Sequence, residues 1–88
     1  MRHRADKNQQ DIVDELRDLG ISVLILSQVG GGCPDLLIGH RGKNYLIEVK
    51  TPVGKLRPKQ TEFIFNWHGR PVLVARSLDE ILGFIGAI

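Results

Sequence analysis

Two short apolar runs separated by a tight, charged turn limit the folds open to this chain. The first run covers residues 35–39 and follows a glycine-rich segment, and the second covers residues 44–50. Arg41 and Gly42 stand between the runs, where glycine suits a turn that reverses the chain. The pattern predicts a β-hairpin at the centre of the fold.

The two strands of this hairpin bring charged residues together. A turn that closes symmetrically about Arg41 and Gly42 places Asp35 opposite Glu48, with their Cβ atoms about 5 Å apart. Lys50 follows Glu48 by two residues, so both side chains leave the same face of the strand. Two carboxylates this close repel each other unless one is protonated or a cation lies between them. The hairpin therefore predicts a site for a divalent metal ion.

A simpler interpretation makes Asp35 a turn residue after Pro34, and makes Glu48 and Lys50 an exposed ion pair. The apolar residues of both runs leave no clean polar face, however, which favours strands that are largely buried. A buried carboxylate requires a partner. We therefore prefer the metal site to the exposed ion pair.

The length and composition indicate one small domain spanning residues 1–88. Of its residues, 42% are hydrophobic and 25% are charged, as in soluble globular proteins. The single cysteine, Cys33, excludes an internal disulfide and has no zinc-type spacing to a histidine, so we expect a small loop residue. No apolar stretch approaches a membrane span, and the polar start does not resemble a signal peptide, so we expect a cytoplasmic protein.

The charge distribution favours a polyanionic substrate. Residues 36–76 contain eight basic and two acidic side chains, whereas several acidic residues cluster earlier in the chain. A positive surface around a carboxylate site suits nucleic acid. Our candidates for phosphate contacts are Lys43, Lys55, Arg57 and Lys59, although for any one of them a merely solvated surface position remains an alternative.

Apolar spacing predicts a helix on each side of a first strand and the hairpin. The first helix has Asp6 as its N-cap and Gly20 at its end, with Gln9 at the inward-facing side of its stripe. The second begins near Pro58 and carries Gln60 on its apolar face. Either glutamine can be a local cap or a group that points into the fold.

The complete order is α-β-β-β-α-β-α. Three antiparallel strands are followed by a helical crossover that makes the fourth strand parallel to the third, with right-handed connection. Ser77 and Glu80 predict a capping box for the last helix. Residues 1–5 are expected to form a flexible basic arm.

These residues carry a family resemblance. Pro34-Asp35 followed by Glu48-Val49-Lys50 resembles the PD-(D/E)xK nuclease motif. More narrowly, the segments GGGCPDLLIG, YLIEVK, KLRPKQ and GRPVLVARS resemble the VRR-NUC family of virus-type replication-repair nucleases, and in length the chain resembles its stand-alone phage and bacterial members.

The resemblance implies an α/β, restriction-endonuclease-like fold, with an αβββαβ core, a mixed four-stranded sheet flanked by helices and a C-terminal helix. It also implies a homodimer similar to Holliday-junction resolvases, which cleaves branched DNA with a metal ion in the cytoplasm of a bacterium or a phage-infected host. Many relatives have a metal-binding glutamate at the position of Gln9. An amide there contributes no charge, so a metal held there binds more weakly or through water.

Together, the hairpin and the resemblance assign the site. Asp35, Glu48 and the carbonyl of Val49 are expected to hold Mg²⁺ or Mn²⁺, which prefer oxygen ligands. Lys50 is expected to position the attacking water and stabilise developing negative charge. Gln60, and with it Gln9, is expected to orient water or the backbone.

Two other functions stay open at the level of sequence. The chain could be a binding module that grips branched DNA without cutting it, which the amide of Gln9 favours and the complete Asp35, Glu48 and Lys50 set disfavours. It could also be a nuclease for flaps, nicked duplex or RNA. A dimer favours junction cleavage, whereas a monomer favours flap or nick cutting.

Overall fold

The computed structural model describes residues 9–88, so the predicted basic arm and the N-cap at Asp6 lie outside the described residues. The chain forms three helices and four strands in this range, in the predicted order. They are α1 (Gln9–Asp18), β1 (Ser22–Ile25), β2 (Leu36–His40), β3 (Lys43–Val49), α2 (Pro58–Asn66), β4 (Leu73–Ala75) and α3 (Leu78–Phe84).

The four strands form one mixed sheet in the order β1-β2-β3-β4. The first three strands are antiparallel, and β4 is parallel to β3. The α/β fold with a mixed four-stranded sheet, flanking helices and a C-terminal helix is therefore confirmed, and it is consistent with a restriction-endonuclease-like architecture. No helix within residues 9–88 has the length and apolar character needed to cross a membrane.

One face of the sheet carries the hydrophobic core. Leu36, Ile38 and Ile47 are fully buried on this face, because alternate residues of a strand point to the same side. The helices α1 and α3 cover them and supply further fully buried side chains, among them Leu16 and Ile81. The apolar stripe predicted for α1 is confirmed except at Leu19, which lies beyond the last helical residue and is 61% exposed. The left-handed conformation of the chain at residue 20 ends this segment.

The opposite face carries α2. Glu48 follows Ile47 in β3, so its side chain leaves the sheet on the side away from the core. Gln60 of α2 donates a hydrogen bond to that carboxylate, which locates α2 on the same side. Gln60 is the buried residue of α2, and its aromatic neighbours Phe63 and Trp67 are half-buried and 45% exposed respectively.

The ends of α2 and α3 are capped in different ways. The regular part of α2 ends at Asn66, with Trp67 as its C-cap. At α3, Ser77 caps the helix as predicted, accepting the backbone N–H of Glu80. The Glu80 carboxylate does not complete the reciprocal box, because it accepts the N–H of Arg76 instead.

Candidate active site

The hairpin register brings the two predicted carboxylates together. Leu36 lies opposite Ile47 and His40 opposite Lys43, which is the register expected from a turn at residues 41 and 42. Asp35 directly precedes β2, so the next pair at the open end of the hairpin is Asp35 and Glu48. The register on which the predicted pairing of Asp35 with Glu48 depends is therefore confirmed.

Asp35 fastens the open end of the hairpin. Its Oδ2 accepts the backbone N–H of Val49, the last residue of the neighbouring strand β3, at 2.9 Å. On the other side, the Asp35 carbonyl accepts the N–H of Leu26 at 2.7 Å, which ties the segment to β1. One residue thus connects three neighbouring strands while its carboxylate stays half-buried.

Glu48 is a carboxylate in a protein interior, with an exposure of only 2%. Its Oε2 accepts a hydrogen bond from Gln60 Nε2 at 2.9 Å, and Lys50 Nζ lies 3.5 Å from the same oxygen. Its Oε1 is buried and has no hydrogen-bond partner. The exposed ion pair considered as the simpler interpretation is therefore wrong, because the Glu48 side chain is only 3% exposed and that of Lys50 only 16%. The unpaired Oε1 is a separate feature, and a buried polar atom without a partner is energetically costly.

The electrostatics of the site agree with this geometry. Burial raises the pKa of the Glu48 carboxyl above its ordinary value, and the neighbouring Asp35 carboxylate raises it further. The ammonium of Lys50 and, to a smaller extent, the guanidinium of Arg57 oppose the rise. Ionised Glu48 is thus held at a free-energy cost, and a cation beside Oε1 would remove that cost.

Gln60 uses both atoms of its side-chain amide on the protein. Its Oε1 accepts the N–H of Arg57, the N-cap of α2, at 2.8 Å, while its Nε2 donates to Glu48. A single side chain therefore caps α2 and fixes the orientation of Glu48. The two roles left open for Gln60, a local cap and an inward-pointing group, occur together.

Gln9 is half-buried on α1, as its inward position predicts, and its Nε2 donates to Ser27 Oγ at 3.1 Å. Ser27 belongs to the loop after β1 and lines the same cleft as Asp35. Nothing in the sequence singled out Ser27, because a lone serine after a strand carries no pattern.

A cleft of about 480 Å³ opens between the glycine-rich loop and the start of α2, and Asp35 and Gln60 line it. All three residues of the Gly30-Gly31-Gly32 run have positive φ. A Cβ atom on Gly32 would collide with the carbonyl oxygen of Lys59, so the third glycine lets the loop touch α2 directly.

Cys33 also lines this cleft. Burial raises the pKa of its thiol, and the Asp35 and Glu48 carboxylates raise it further. The thiol is therefore held in its protonated form, which is neither a good nucleophile nor a good metal ligand. This agrees with the expectation that Cys33 is a small loop residue.

The predicted basic residues fall into two groups. Lys55, Arg57 and Lys59 are exposed in the loop before α2 and in its first turn, and two of them line the cleft. Lys43 begins β3 at the turn end of the hairpin, five residues before Glu48, which corresponds to about 17 Å along a strand. It lies apart from the other three.

A hard divalent cation fits the oxygen atoms of this site. Asp35 and Glu48 supply two adjacent carboxylates, and the buried Oε1 of Glu48 lacks a partner. Within residues 9–88, no group of three or more His, Cys, Asp and Glu side chains is close enough to hold a metal ion. Such an ion would therefore take its remaining ligands from backbone carbonyls, water or substrate, as Mg²⁺ usually does.

Comparison with known proteins shows the family of the chain. No curated protein and no solved structure matches the chain significantly. The VRR-NUC domain family matches over residues 2–78, a span that contains α1, the whole sheet and α2. With its paired carboxylates, its lysine and its nuclease-type fold in the same span, the chain belongs to the VRR-NUC family of nuclease domains.

Proposed function

We propose that this chain is a metal-dependent, structure-specific endonuclease that hydrolyses phosphodiester bonds in branched DNA such as Holliday junctions. Nuclease activity follows from the family, and the proposed metal dependence rests mainly on Glu48. A carboxylate that is 2% exposed, with one oxygen held by Gln60 and the other without a partner, is arranged to receive a cation. A purely structural glutamate at this position would be expected to have both oxygens satisfied.

The cation we propose is Mg²⁺ or Mn²⁺, held by the Asp35 and Glu48 carboxylates and the carbonyl of Val49. When bound, such an ion neutralises charge on a phosphate and makes a water molecule more acidic. The Val49 N–H keeps Asp35 in position by its bond to Oδ2, and Gln60 keeps Glu48 in position. Both carboxylates are thus preorganised before substrate binds.

Lys50 supplies a positive charge next to the buried carboxylate. Its Nζ lies 3.5 Å from Glu48 Oε2, and its side chain is 16% exposed, so it is close to Glu48 and partly open to solvent. An ammonium with three donors can contact a carboxylate, a water and a phosphate oxygen at once. We assign it to orient the attacking water and to stabilise the negative charge that builds on the phosphate.

Contacts with the DNA backbone are assigned to Lys55, Arg57 and Lys59. Arg57 and Lys59 line the cleft, and Lys55 precedes them in the same loop. Contacts to phosphates determine register without reading bases. Each neutralised phosphate releases counterions, so DNA binding should weaken steeply as salt rises. Lys43 lies apart from them and would contact a more distant part of the substrate.

A homodimer is supported by an apolar row on the site face of the sheet. Leu24 lies opposite Leu37, and Leu37 opposite Leu46. Leu46 precedes Glu48 by two residues, so the row shares the face that carries the site. Leu24 is 57% exposed and the other two are half-buried. An uncharged, partly exposed row suits a second copy better than a polyanion.

A second copy can contact this leucine row more easily than it can add a strand to the edge of the sheet at β1. The Val23 carbonyl of β1 already accepts a hydrogen bond from Arg17 at 2.9 Å, which protects that edge from strand addition.

The apolar row is tested by truncating its most exposed member. Leu24→Ser should shift the protein toward monomer in sedimentation velocity. Leu19→Ser, at a residue that is 61% exposed outside the row, should not. Equal behaviour of the two variants would contradict this interface.

The activity itself is tested with end-labelled four-way junction, flap and plain duplex DNA, each incubated with Mg²⁺, Mn²⁺ or EDTA. We expect junction cleavage with metal, no cleavage in EDTA and no cleavage by Lys50→Ala. Arg41→Ala, at an exposed position of the hairpin turn outside the proposed DNA contacts, is the control and should still cut. Cleavage of the flap alone would replace junction cleavage by flap cutting, and cleavage in EDTA would contradict the metal dependence.

A second candidate is a module that binds branched DNA without cutting it. It is favoured by Gln9, which donates to Ser27 and contributes no carboxylate, and by the small number of acidic side chains at the site. Metal titration separates the two candidates. Binding of the junction with no cleavage at any concentration of Mg²⁺ or Mn²⁺ would favour the binding module.

A further inference from the structure

Arg76 directly follows β4 and spans from it to the loop that leaves the active site. Its Nη1 donates to the carbonyl of Thr51 at 2.6 Å and to the carbonyl of Gly54 at 2.7 Å. The Gly54 N–H also donates to the Thr51 carbonyl at 3.1 Å, which makes residues 51–54 a closed turn. One guanidinium nitrogen thus holds both ends of this turn.

The backbone of Arg76 is itself fixed to the core side of the molecule. Its N–H donates to the Glu80 carboxylate at 2.6 Å, and Glu80 belongs to the first turn of α3. The preceding residue, Ala75, is fully buried and accepts the N–H of Lys50 at 2.9 Å. The guanidinium therefore extends from a rigid base, and charge-assisted bonds to carbonyls are among the stronger hydrogen bonds in proteins.

The loop that Arg76 holds connects the reactive end of β3 to the start of α2. Lys50 stands at its beginning, and Lys55 and Arg57 stand at its end. The N–H of Arg57 is bound by Gln60, which in turn holds Glu48. Exposed loops of this kind are otherwise among the least stable parts of a fold, and this one carries the cations nearest to the carboxylates.

We propose that Arg76 is a positioning residue for substrate binding, which holds the loop of residues 51–57 so that Lys55 and Arg57 face the DNA backbone beside the cleft. The inference rests on the proposed function for its substrate and on the hydrogen bonds for its geometry. Arginine suits this role because its guanidinium is always charged and its Nη1 carries two N–H groups in a fixed plane, one for each carbonyl.

The alternative is that Arg76 contacts a DNA phosphate directly. The two roles differ in their effect on the loop of residues 51–57, because only the positioning role requires Arg76 to keep it closed. The Lys55–Leu56 peptide bond is a trypsin site inside the held loop, and limited proteolysis measures how often the loop opens without any reference to DNA. We expect Arg76→Met to be cut there about tenfold faster than wild type, with Arg76→Lys in between. A direct phosphate contact would leave the proteolysis rate unchanged.

The kinetic readout uses the junction substrate and a charge-matched control. Arg76→Met should raise KM about tenfold and change kcat less than about threefold, because it removes binding that is equal in ground and transition states. Arg41→Met removes the same charge at the hairpin turn, at the opposite end of the sheet, and should leave both constants and the proteolysis rate near wild type. Arg76→Lys should recover part of the loss in KM.

Each result decides the inference. Unchanged cleavage by trypsin in Arg76→Met overturns it, as does a loss confined to kcat or an equal loss in Arg41→Met. A wild-type protein that cuts no DNA would overturn the proposed nuclease, while the proteolysis rate and the affinity of each variant for junction DNA would still test Arg76.

Discussion

The two faces of the sheet are built from alternate residues of the same strands, and they differ in how burial is stabilised. Ile47 and Glu48 are neighbours in β3, and their exposures are 0% and 2%. Ile47 is buried among the apolar side chains of α1, α3 and the sheet. Glu48 is buried against Gln60 and Lys50, with one oxygen unsatisfied. Apolar packing on one face thus stabilises the strand that presents a destabilising carboxylate on the other.

This contrast predicts that substitutions on the site face remove activity and leave the fold. Asp35→Asn keeps an oxygen for the Val49 N–H but removes the negative charge available to a cation. We expect the cleavage rate to fall by at least about 10³-fold, because charge stabilisation is among the largest catalytic contributions. Far-UV circular dichroism should be unchanged.

Asp18→Asn, on an exposed aspartate at the end of α1, is the matched control and should keep full activity. An active Asp35→Asn protein would remove Asp35 from the proposed site.

Substitutions on the core face should do the opposite. Ile47→Ala removes a fully buried side chain and leaves a cavity, so we expect the free energy of unfolding to fall by about 3 kcal/mol. Cleavage per folded molecule should be retained at low temperature. Urea denaturation measures this loss, and the same measurement on Leu46→Ala, a variant of the site face, shows how much less stability that face contributes.

Leu46 is the preceding residue, half-buried on the site face, and its truncation should lower the free energy of unfolding by less than half as much. Equal losses for the two variants would show that the core extends through both faces.

The bond between α2 and Glu48 gives a prediction of intermediate size. Gln60→Ala removes the donor to Glu48 Oε2 and the acceptor for Arg57. Residues that hydrogen-bond to a metal ligand typically contribute 10- to 100-fold to metal affinity or activity. We therefore expect kcat/KM to fall about 30-fold, and higher Mg²⁺ should restore part of the loss. Gln10→Ala removes an exposed glutamine of α1 that bonds only to Asp14 among the contacts described for it, and it should have no effect.

Much of this arrangement follows from local rules. The position of Gly42 and the lengths of the two apolar runs determine the hairpin register, which in turn brings Asp35 and Glu48 together. Helical periodicity placed Gln60 on the inward side of α2. These predictions depend on residues close in sequence, so the 2- and 3.6-residue repeats are enough to make them.

The connections between distant elements were not predictable in the same way. Arg76 binds carbonyls at residues 51 and 54, and backbone carbonyls have no sequence signature. The contact of Gly32 with the start of α2 was likewise hidden, because three glycines suit a connector as well as a close approach. Glu80 binds the N–H of Arg76 rather than that of Ser77, a one-residue difference within the expected capping box.

The smallest predicted effect tests whether the negative charge of buried Glu48 destabilises the folded protein. Its native pKa is raised, so the folded protein keeps this proton to a higher pH than the unfolded chain does. Stability from this group is therefore present at acid pH and is lost as pH rises through the native pKa.

Glu48→Gln should thus raise the free energy of unfolding at neutral pH by about 1 kcal/mol in EDTA, and by less near pH 4. Mg²⁺ should reverse the order, because only the wild type gains binding energy from the ion. A variant less stable than wild type in EDTA at neutral pH would show that the Lys50 and Gln60 contacts already compensate the buried charge, and that no cation is needed to do so.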